Sequence, residues 1–433
     1  MRILFLSHYF PPEVNAPATR TFDHCVRWAK AGHDVTVVTC APNCPDGVLY
    51  PGYKNTLRRQ VESVDGVRVI RVWTYLAANA GFVRRILSFL SYMLSAVLAL
   101  IRLPRPDVVV ATSPQFFCGW AGVLASRLKR VPLVLEIRDI WPESIQAVGA
   151  MRNRWLLELL ERLERWMYRS AAHIVTVGEG YRTNILKKVD GADGVSVITN
   201  GVDVERFVPN EPDAEFLHTW GLEGKFVCSF VGTIGMAHGL EVVLEAAKIL
   251  RRKGRSDISF CLVGEGSKRK WLEDEANRAG LNGTVVLTGL QPKKQIPAIL
   301  ASSDACLVHL KGHQFFGTVI PSKIFEILAM ARPIIMGVEG DARKIVANAG
   351  AGVEMVPGSA ESLVEAVMTL ADNPDLAAQR GRGGRDYVLK HFNRDVLAAR
   401  FLRLLHQVTG IDTTESPQAL PEEDAELPWQ QAA

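Results

Sequence analysis

Cysteine is scarce in this chain: seven residues out of 433, at positions 25, 40, 44, 118, 228, 261 and 306, with no repeated C-x-x-C spacing. An odd, scattered set excludes a disulfide framework and a structural zinc site, and such cysteines read as small buried hydrophobes in a reducing compartment. Glycine is missing where a dinucleotide fold needs it. Ser7–Arg20, directly after the first apolar run, contains none, which disfavours a nicotinamide-dependent dehydrogenase. No D-x-D occurs anywhere, so a metal held by that spaced carboxylate pair is not expected, and the patterns of nucleic-acid-binding modules are absent as well. The most apolar segment, Ile86–Ile101, is uncharged for sixteen residues, short of the roughly 20 that span a bilayer. The opening MRILFLSHYF holds only a four-residue apolar run, too short for an export signal, and is expected to be a first strand.

What is present is apolar and basic. Hydrophobic residues make up 48% of the chain, enough for two cores, and the length argues for two domains of roughly 200 residues each. Net charge is +4, but residues 411–433 hold six acids and no base, so residues 1–410 carry +10. With nucleic acid set aside, a basic body points to anionic lipid or a phosphorylated ligand.

Short apolar runs alternate with helical spacing. Ile3–Ser7, Val35–Thr39, Val67–Val72, Asp107–Thr112, Val131–Ile137, His173–Val177 and Val195–Thr199 read as strands, with helices over Thr19–Ala31, Phe117–Leu128 and Trp155–Tyr168; residues 40–66 read as a loop. The alternation restarts at Phe226–Val231 and continues through Ile258–Val263, Val285–Leu287, Ala305–Leu310 and Pro333–Met336. That predicts an α/β protein with two doubly wound parallel-sheet, Rossmann-like domains facing across a cleft. The expected divisions are a first domain over 1–205, a second over 206–386, a helix over 387–410 and a disordered acidic tail over 411–433.

One stretch organises the rest: Gly317–Ile335, GTVIPSKIFEILAMARPII. Its proline suits the first helical position, which puts Pro321 at N1 and leaves the amides of Ser322 and Lys323 directed outward. An anion is expected there, with Lys323 adding a full charge and Glu326 following three residues on. A plain surface ion pair on an amphipathic helix is the alternative. Val319 lies just ahead of the same turn. Upstream, Ile86–Ile101 is flanked by Arg84, Arg85, Arg102 and Arg105, with no acid between Phe82 and Pro106. Two readings stay open for 82–105: a helix resting on anionic lipid, or a core helix with arginines at its ends.

Proline, Ser-Lys, a glutamate three residues on and a small-residue turn before Arg-Pro resemble the donor-site helix of glycosyltransferase family 4, whose architecture is GT-B. The family's second glutamate, eight residues earlier, is replaced here by Thr318. The Pro-Ser-Lys form is similar to a subgroup building bacterial O-antigen, capsule and exopolysaccharide, including N-acetyl-L-fucosamine transferases. The resemblance implies transfer of a sugar, for example such an N-acetylated deoxy sugar, from a UDP-linked donor to a lipid-linked glycan acceptor, without metal or cofactor and with retention; it implies that 1–205 bind the acceptor, that 206–386 bind the donor and that the helix over 387–410 crosses back to the first domain. It implies a chain in the cytoplasm, peripheral on the inner membrane. A nucleotide-sugar 2-epimerase of the same fold is the alternative enzyme.

On the donor side, the resemblance implies contacts from Gly232, Thr233 and Gly235 in the turn after Phe226–Val231, and from Gly264, Leu290, Val319, Ser322, Lys323 and Glu326, with Glu326 on the ribose. Where the family carries Arg and Lys, this chain has Thr233 and His238. On the acceptor side, Asp139 and Arg138 follow a strand and lie at the carboxyl edge where open α/β sheets bind ligands. Asp139 is the candidate to orient or deprotonate a hydroxyl, and Arg138 to hold a lipid diphosphate or a donor phosphate. Glu13 and His8, on the first loop, are further catalytic candidates, and Asn15 joins Glu13 and Asp139 as an acceptor contact.

Overall fold

The computed structural model describes residues 1–13, 15–78, 82–113, 115–143, 153–189, 194–311 and 320–412. Val319, Thr318 and all but the first two residues of the expected tail, 411–433, lie outside them. Residues 1–200 together with 394–412 form one unit, and residues 201–393 a second. The chain passes between units after Asn200, five residues before the division at 205.

The first unit is an eight-stranded sheet in the order β3-β4-β2-β1-β5-β6-β7-β8. The strands are β1 Arg2–Leu6, β2 Asp34–Cys40, β3 Gln60–Val64, β4 Val67–Val72, β5 Val108–Thr112, β6 Leu133–Ile137, β7 His173–Thr176 and β8 Val195–Val197. All neighbours are parallel except β3, which runs antiparallel to β4 at the edge. The loop expected over 40–66 therefore ends in a strand. QVESV alternates half-buried and exposed residues, so only pairing with β4 reveals it. Interior strands have both faces covered, and their apolar runs split by parity. Leu4, Leu6, Val109, Ala111, Leu133 and Leu135 enter one core, while Ile3, Phe5, Val108, Val110 and Val134 enter the other.

The second unit is an all-parallel sheet in the order β11-β10-β9-β12-β13-β14. Its strands are β9 Phe226–Val231, β10 Ile258–Val263, β11 Val285–Gly289, β12 Ala305–His309, β13 Ile334–Gly337 and β14 Gly352–Glu354. Ala305 and Leu307 face one core, Cys306 and Val308 the other.

The single helix expected over Tyr387–Val408 is two helices, Pro374–His391 and Arg394–Thr409. The break falls at Phe392, whose carbonyl accepts from the Val202 amide at 2.9 Å. Tyr387 and Phe392 pack in the second unit, whereas Phe401 and Leu404 pack in the first against the helix Ala16–Lys30.

In each sheet one central strand has neighbours reached by crossovers in opposite directions: β1 between β2 and β5, and β9 between β10 and β12. Beyond the carboxyl ends of such strands lies the ligand crevice of open α/β sheets. Beneath the first of these edges sits a buried acid. Glu136, fourth in β6, points by parity to the side of the helix Ala16–Lys30. There Arg20 Nε donates to its Oε1 at 2.7 Å and Thr112 Oγ1 to its Oε2 at 2.6 Å. Arg20 also donates to the carbonyls of Ile198 and Thr199, tying the helix to the last turn before the second unit. Burial pushes the Glu136 carboxyl up, but Arg20, then Arg138 and His24, hold it down to about 2.

Replacing Glu136 by Gln leaves the Arg20 cation buried without its counter-charge, and urea unfolding should show a loss of about 3–5 kcal/mol. Because the folded carboxyl titrates below its unfolded value of about 4.3, the pair's contribution should be complete above that pH. It should be lost as the pH falls through about 2.

Candidate functional site

The second sheet's switch point carries an unusual charge. Lys323 opens the helix Lys323–Ala329, which follows β12, and its Nζ lies 3.7 Å from the centroid of the Phe230 ring on β9. That Nζ is closed to solvent and has no hydrogen-bond partner among the described residues. Burial lowers its pKa to about 8, with Glu326 opposing the shift. Gly232 makes room: a Cβ there would lie 2.6 Å from the ammonium nitrogen, and its φ of +144° is one that side chains rarely adopt. Gly264 is equally constrained, since a Cβ on it would meet the Gly232 carbonyl oxygen at 1.9 Å. The loops after β9, β10 and β11 are laced by main-chain bonds. The Gly232 amide reaches the Val263 carbonyl at 2.9 Å, Ile234 reaches Glu265 at 2.8 Å, and Gly264 reaches Gly289 at 2.9 Å.

His238 also packs on Phe230, edge to face at 5.4 Å. Its Nδ1 is buried and unpartnered among the described residues, and burial, then Lys323 and His309, lower its pKa to about 4, so it is neutral at pH 7. Behind it, His309 Nε2 accepts from the Gly358 amide at 2.9 Å. Its Nδ1 must therefore carry the proton, which it donates to the His238 carbonyl at 2.6 Å. Lys311 braces the same turn through Glu241 at 2.7 Å. The crevice thus presents one cation, one neutral imidazole and laced glycine loops, an arrangement suited to a phosphate.

Of the donor residues named from sequence, the structure brings together Gly232, Gly264 and Lys323. Glu326 stands one turn along, half-buried and within electrostatic reach of Lys323 and Lys293. Gly235 lies beside His238, while Thr233, Ser322 and Leu290 are exposed, Leu290 by 75%. Pro321 is not at N1. The helix begins at Lys323 with Ser322 as its N-cap, and the first turn closes by Ile324 and Phe325 amides donating to the Pro321 and Ser322 carbonyls. The helix expected from Gly239 begins at Glu241, after a 3-10 turn over Met236–His238.

In the first unit, the early-loop candidates are enclosed. Glu13 is 3% exposed and its Oε1 accepts from the Asn43 and Cys44 amides at 2.8 and 2.9 Å. It clamps a loop and is not an open base. The His8 ring lies among Tyr9, Phe89 and Tyr92, and burial lowers its pKa to about 3. Beside it is a cavity of about 10 Å³, the size of one water. Asn15 caps the helix Ala16–Lys30 through the Ala18 amide at 2.9 Å. Arg138 and Asp139 do lie at the carboxyl edge beyond β6, both half-buried. Sequence reasoning missed Arg20, Glu136, Phe230 and His309. A lone acid inside VPLVLEI was the legible signal for Glu136.

These two units define the fold class. Residues superpose on Anabaena HepE, solved in complex with UDP, with a TM-score of 0.68 at 16% identity, covering 94% of this chain and all of that one. The architecture is GT-B. Residues 15–201 match the family described as Glycosyl transferase 4-like domain, and residues 216–387 match Glycosyl transferases group 1. The chain belongs to the glycosyltransferases built from this pair of domains. It is similar to the putative colanic acid biosynthesis glycosyl transferase WcaI of Escherichia coli K12, 25% identical over 93% of this chain and 99% of the relative. It is also similar to the probable glycosyltransferase WbjE of Pseudomonas aeruginosa, 27% identical over 61% and 66%. The 2-epimerase alternative gains no support from these matches.

An unpaired buried cation destabilises the fold that holds it. Lys323→Met should raise stability in urea at pH 7 by roughly 1–3 kcal/mol. The penalty in the parent is complete below the folded pKa of about 8 and disappears as the pH passes the unfolded value of about 10.4. The gap between the two proteins should therefore close over that window.

Proposed function

We propose that this glycosyltransferase moves a sugar from a UDP-linked donor, bound by the second unit, to a lipid-linked acceptor bound by the first, in bacterial surface-polysaccharide synthesis. The observation that carries the reading is the orphaned ammonium of Lys323 at the β9/β12 switch point. Breaking the bond between the sugar's anomeric carbon and the diphosphate leaves negative charge on the departing oxygen. A fixed cation in a site of low dielectric stabilises that charge more than water would. Lys323 fills this role in the scheme, assisted by the main-chain amides of the glycine loops, and no divalent metal is required. Glu326 takes the ribose hydroxyls. Asp139 orients the acceptor hydroxyl and its carboxylate takes the hydroxyl proton as the oxygen bonds to the anomeric carbon and the nucleoside diphosphate leaves.

The names of the similar proteins support this reading: HepE was solved with UDP, and WcaI is named for colanic acid biosynthesis. An N-acetylated deoxy sugar such as N-acetyl-L-fucosamine and a retaining outcome are the finer proposals. Purified protein should release nucleotide from a UDP-sugar panel only when membrane extract supplies acceptor. Lys323→Ala and Glu326→Gln should each weaken donor binding about tenfold or more, measured by titration calorimetry. Unchanged affinity in both would remove the donor site from this helix.

Peripheral attachment at the cytoplasmic face of the inner membrane belongs to the same proposal. Phe82–Leu100 is one helix, and among the described residues it is long and apolar enough to cross a membrane by length and composition, with 28% of Val83–Leu100 buried. Val83, Leu87, Leu94 and Leu98 are exposed along it, followed by Ile101, while Phe89, Tyr92 and Ala96 are buried. One face thus serves the core and the other is apolar and open, with Arg84, Arg85, Arg102 and Arg105 exposed at its ends. Changing those four arginines to Gln should release the protein from vesicles containing anionic lipid in a flotation assay. Full retention would leave the helix as an ordinary part of the core.

A further inference from the structure

Arg138 follows β6 two residues after the buried acid, yet that acid does not satisfy it. Both Glu136 oxygens are engaged, by Arg20 and by Thr112. The Arg138 main chain is fixed, its amide donating to Ser113 Oγ at 2.8 Å beyond β5. Its guanidinium is not: Nε and Nη1 are closed to solvent and have no hydrogen-bond partner among the described residues. Burial lowers the group's pKa to about 10, with Glu136 opposing and Arg20 adding to the shift. It remains a cation at neutral pH, so two nitrogens carrying three of its five N–H donors are charged and without a hydrogen-bond partner among the described residues.

A buried donor left without an acceptor is costly, and more so when charged. Nε and Nη1 belong to different edges of the planar guanidinium, and Nη2 completes either edge into a two-donor fork that matches two oxygens of one phosphoryl group, the bidentate geometry in which arginine differs from lysine. The local charge agrees, because Arg20 and Glu136 neutralise each other and Arg138 is left over. The place agrees too, at the carboxyl edge of the sheet beside the β1/β5 switch point.

We infer that Arg138 forms the floor of a phosphoryl-binding subsite in the first unit, which takes a phosphate or diphosphate carried by the acceptor. The subsite rests on the reading of this unit as the acceptor unit; the anion site at Lys323 belongs to the second unit.

Inorganic pyrophosphate is the probe, titrated calorimetrically into the full chain carrying Lys323→Ala so that the second unit's site is silenced. Binding that remains in this variant, and that falls roughly tenfold or more when Arg138→Gln is added, supports the subsite. Arg138→Lys, which keeps the charge and loses the fork, should fall by an intermediate amount. It also serves if the glutamine variant fails to fold, judged by its urea midpoint. Pyrophosphate affinity unchanged by both substitutions, or absent from the Lys323→Ala protein altogether, overturns the proposal. Competition by farnesyl diphosphate against glucose 1-phosphate then assigns the source: the stronger competitor identifies a lipid diphosphate or a phosphate on the glycan.

Pyrophosphate binding through Arg138 in a protein that transfers no sugar would sink the transferase reading alone. Transfer that proceeds equally well with Arg138→Gln would sink the subsite alone.

Discussion

An ammonium group without a hydrogen-bonding counterpart among the described residues, shut against an aromatic ring at the end of β9, is the constraint around which the second unit is arranged. Every group that touches it has given something up. Gly232 has no side chain and a φ that side chains rarely adopt, Phe230 offers its π face, and His238 is kept neutral first by burial and then by the lysine's charge. Polar groups are rarely left in this condition unless a ligand completes them. The surrounding braces, His309 to the His238 carbonyl and Lys311 to Glu241, hold the turn in place without neutralising the charge at its centre.

The first unit applies the same logic with a different balance. Its switch-point edge carries two arginines and one glutamate, and the glutamate is fully used by one arginine and a threonine. The separation is physical: Arg20 reaches main-chain carbonyls as well as the carboxylate, whereas Nε and Nη1 of Arg138 have no hydrogen-bond partner among the described residues. The enclosed state of Glu13 and His8 follows from the same economy of space. The loop after β1 packs the His8 ring against Phe89 of the helix 82–100, and the Glu13 carboxylate is taken up by the amides of Asn43 and Cys44.

Much of this was legible in the amino-acid order. Parallel strands buried on both faces are continuous apolar runs, so the two sheets and their order of appearance could be read directly, and Pro-Ser-Lys with Glu326 marked the functional edge. The edge strand Gln60–Val64 escaped because half its residues face water and its stability comes from pairing with β4. The join at Phe392 escaped because helical periodicity continues through it, and only the Val202 amide, 190 residues earlier in the chain, shows where the helix ends. Glu13 looked like a base because a carboxylate in a first loop has no sequence signature that separates an open acid from one capping two amides. Phe230 and His309 looked like ordinary strand residues, since their work depends on which side chains reach them from other loops.

One consequence concerns inheritance. The space that Gly232 leaves empty is the space the Lys323 head group fills, so neither position can vary alone. A larger residue at the first would expel the amine, and a shorter one at the second would leave a void beside a strained backbone with no remaining reason to be strained. Two codons far apart in the gene therefore behave as a single heritable character, and descendants of this chain should keep or lose both together.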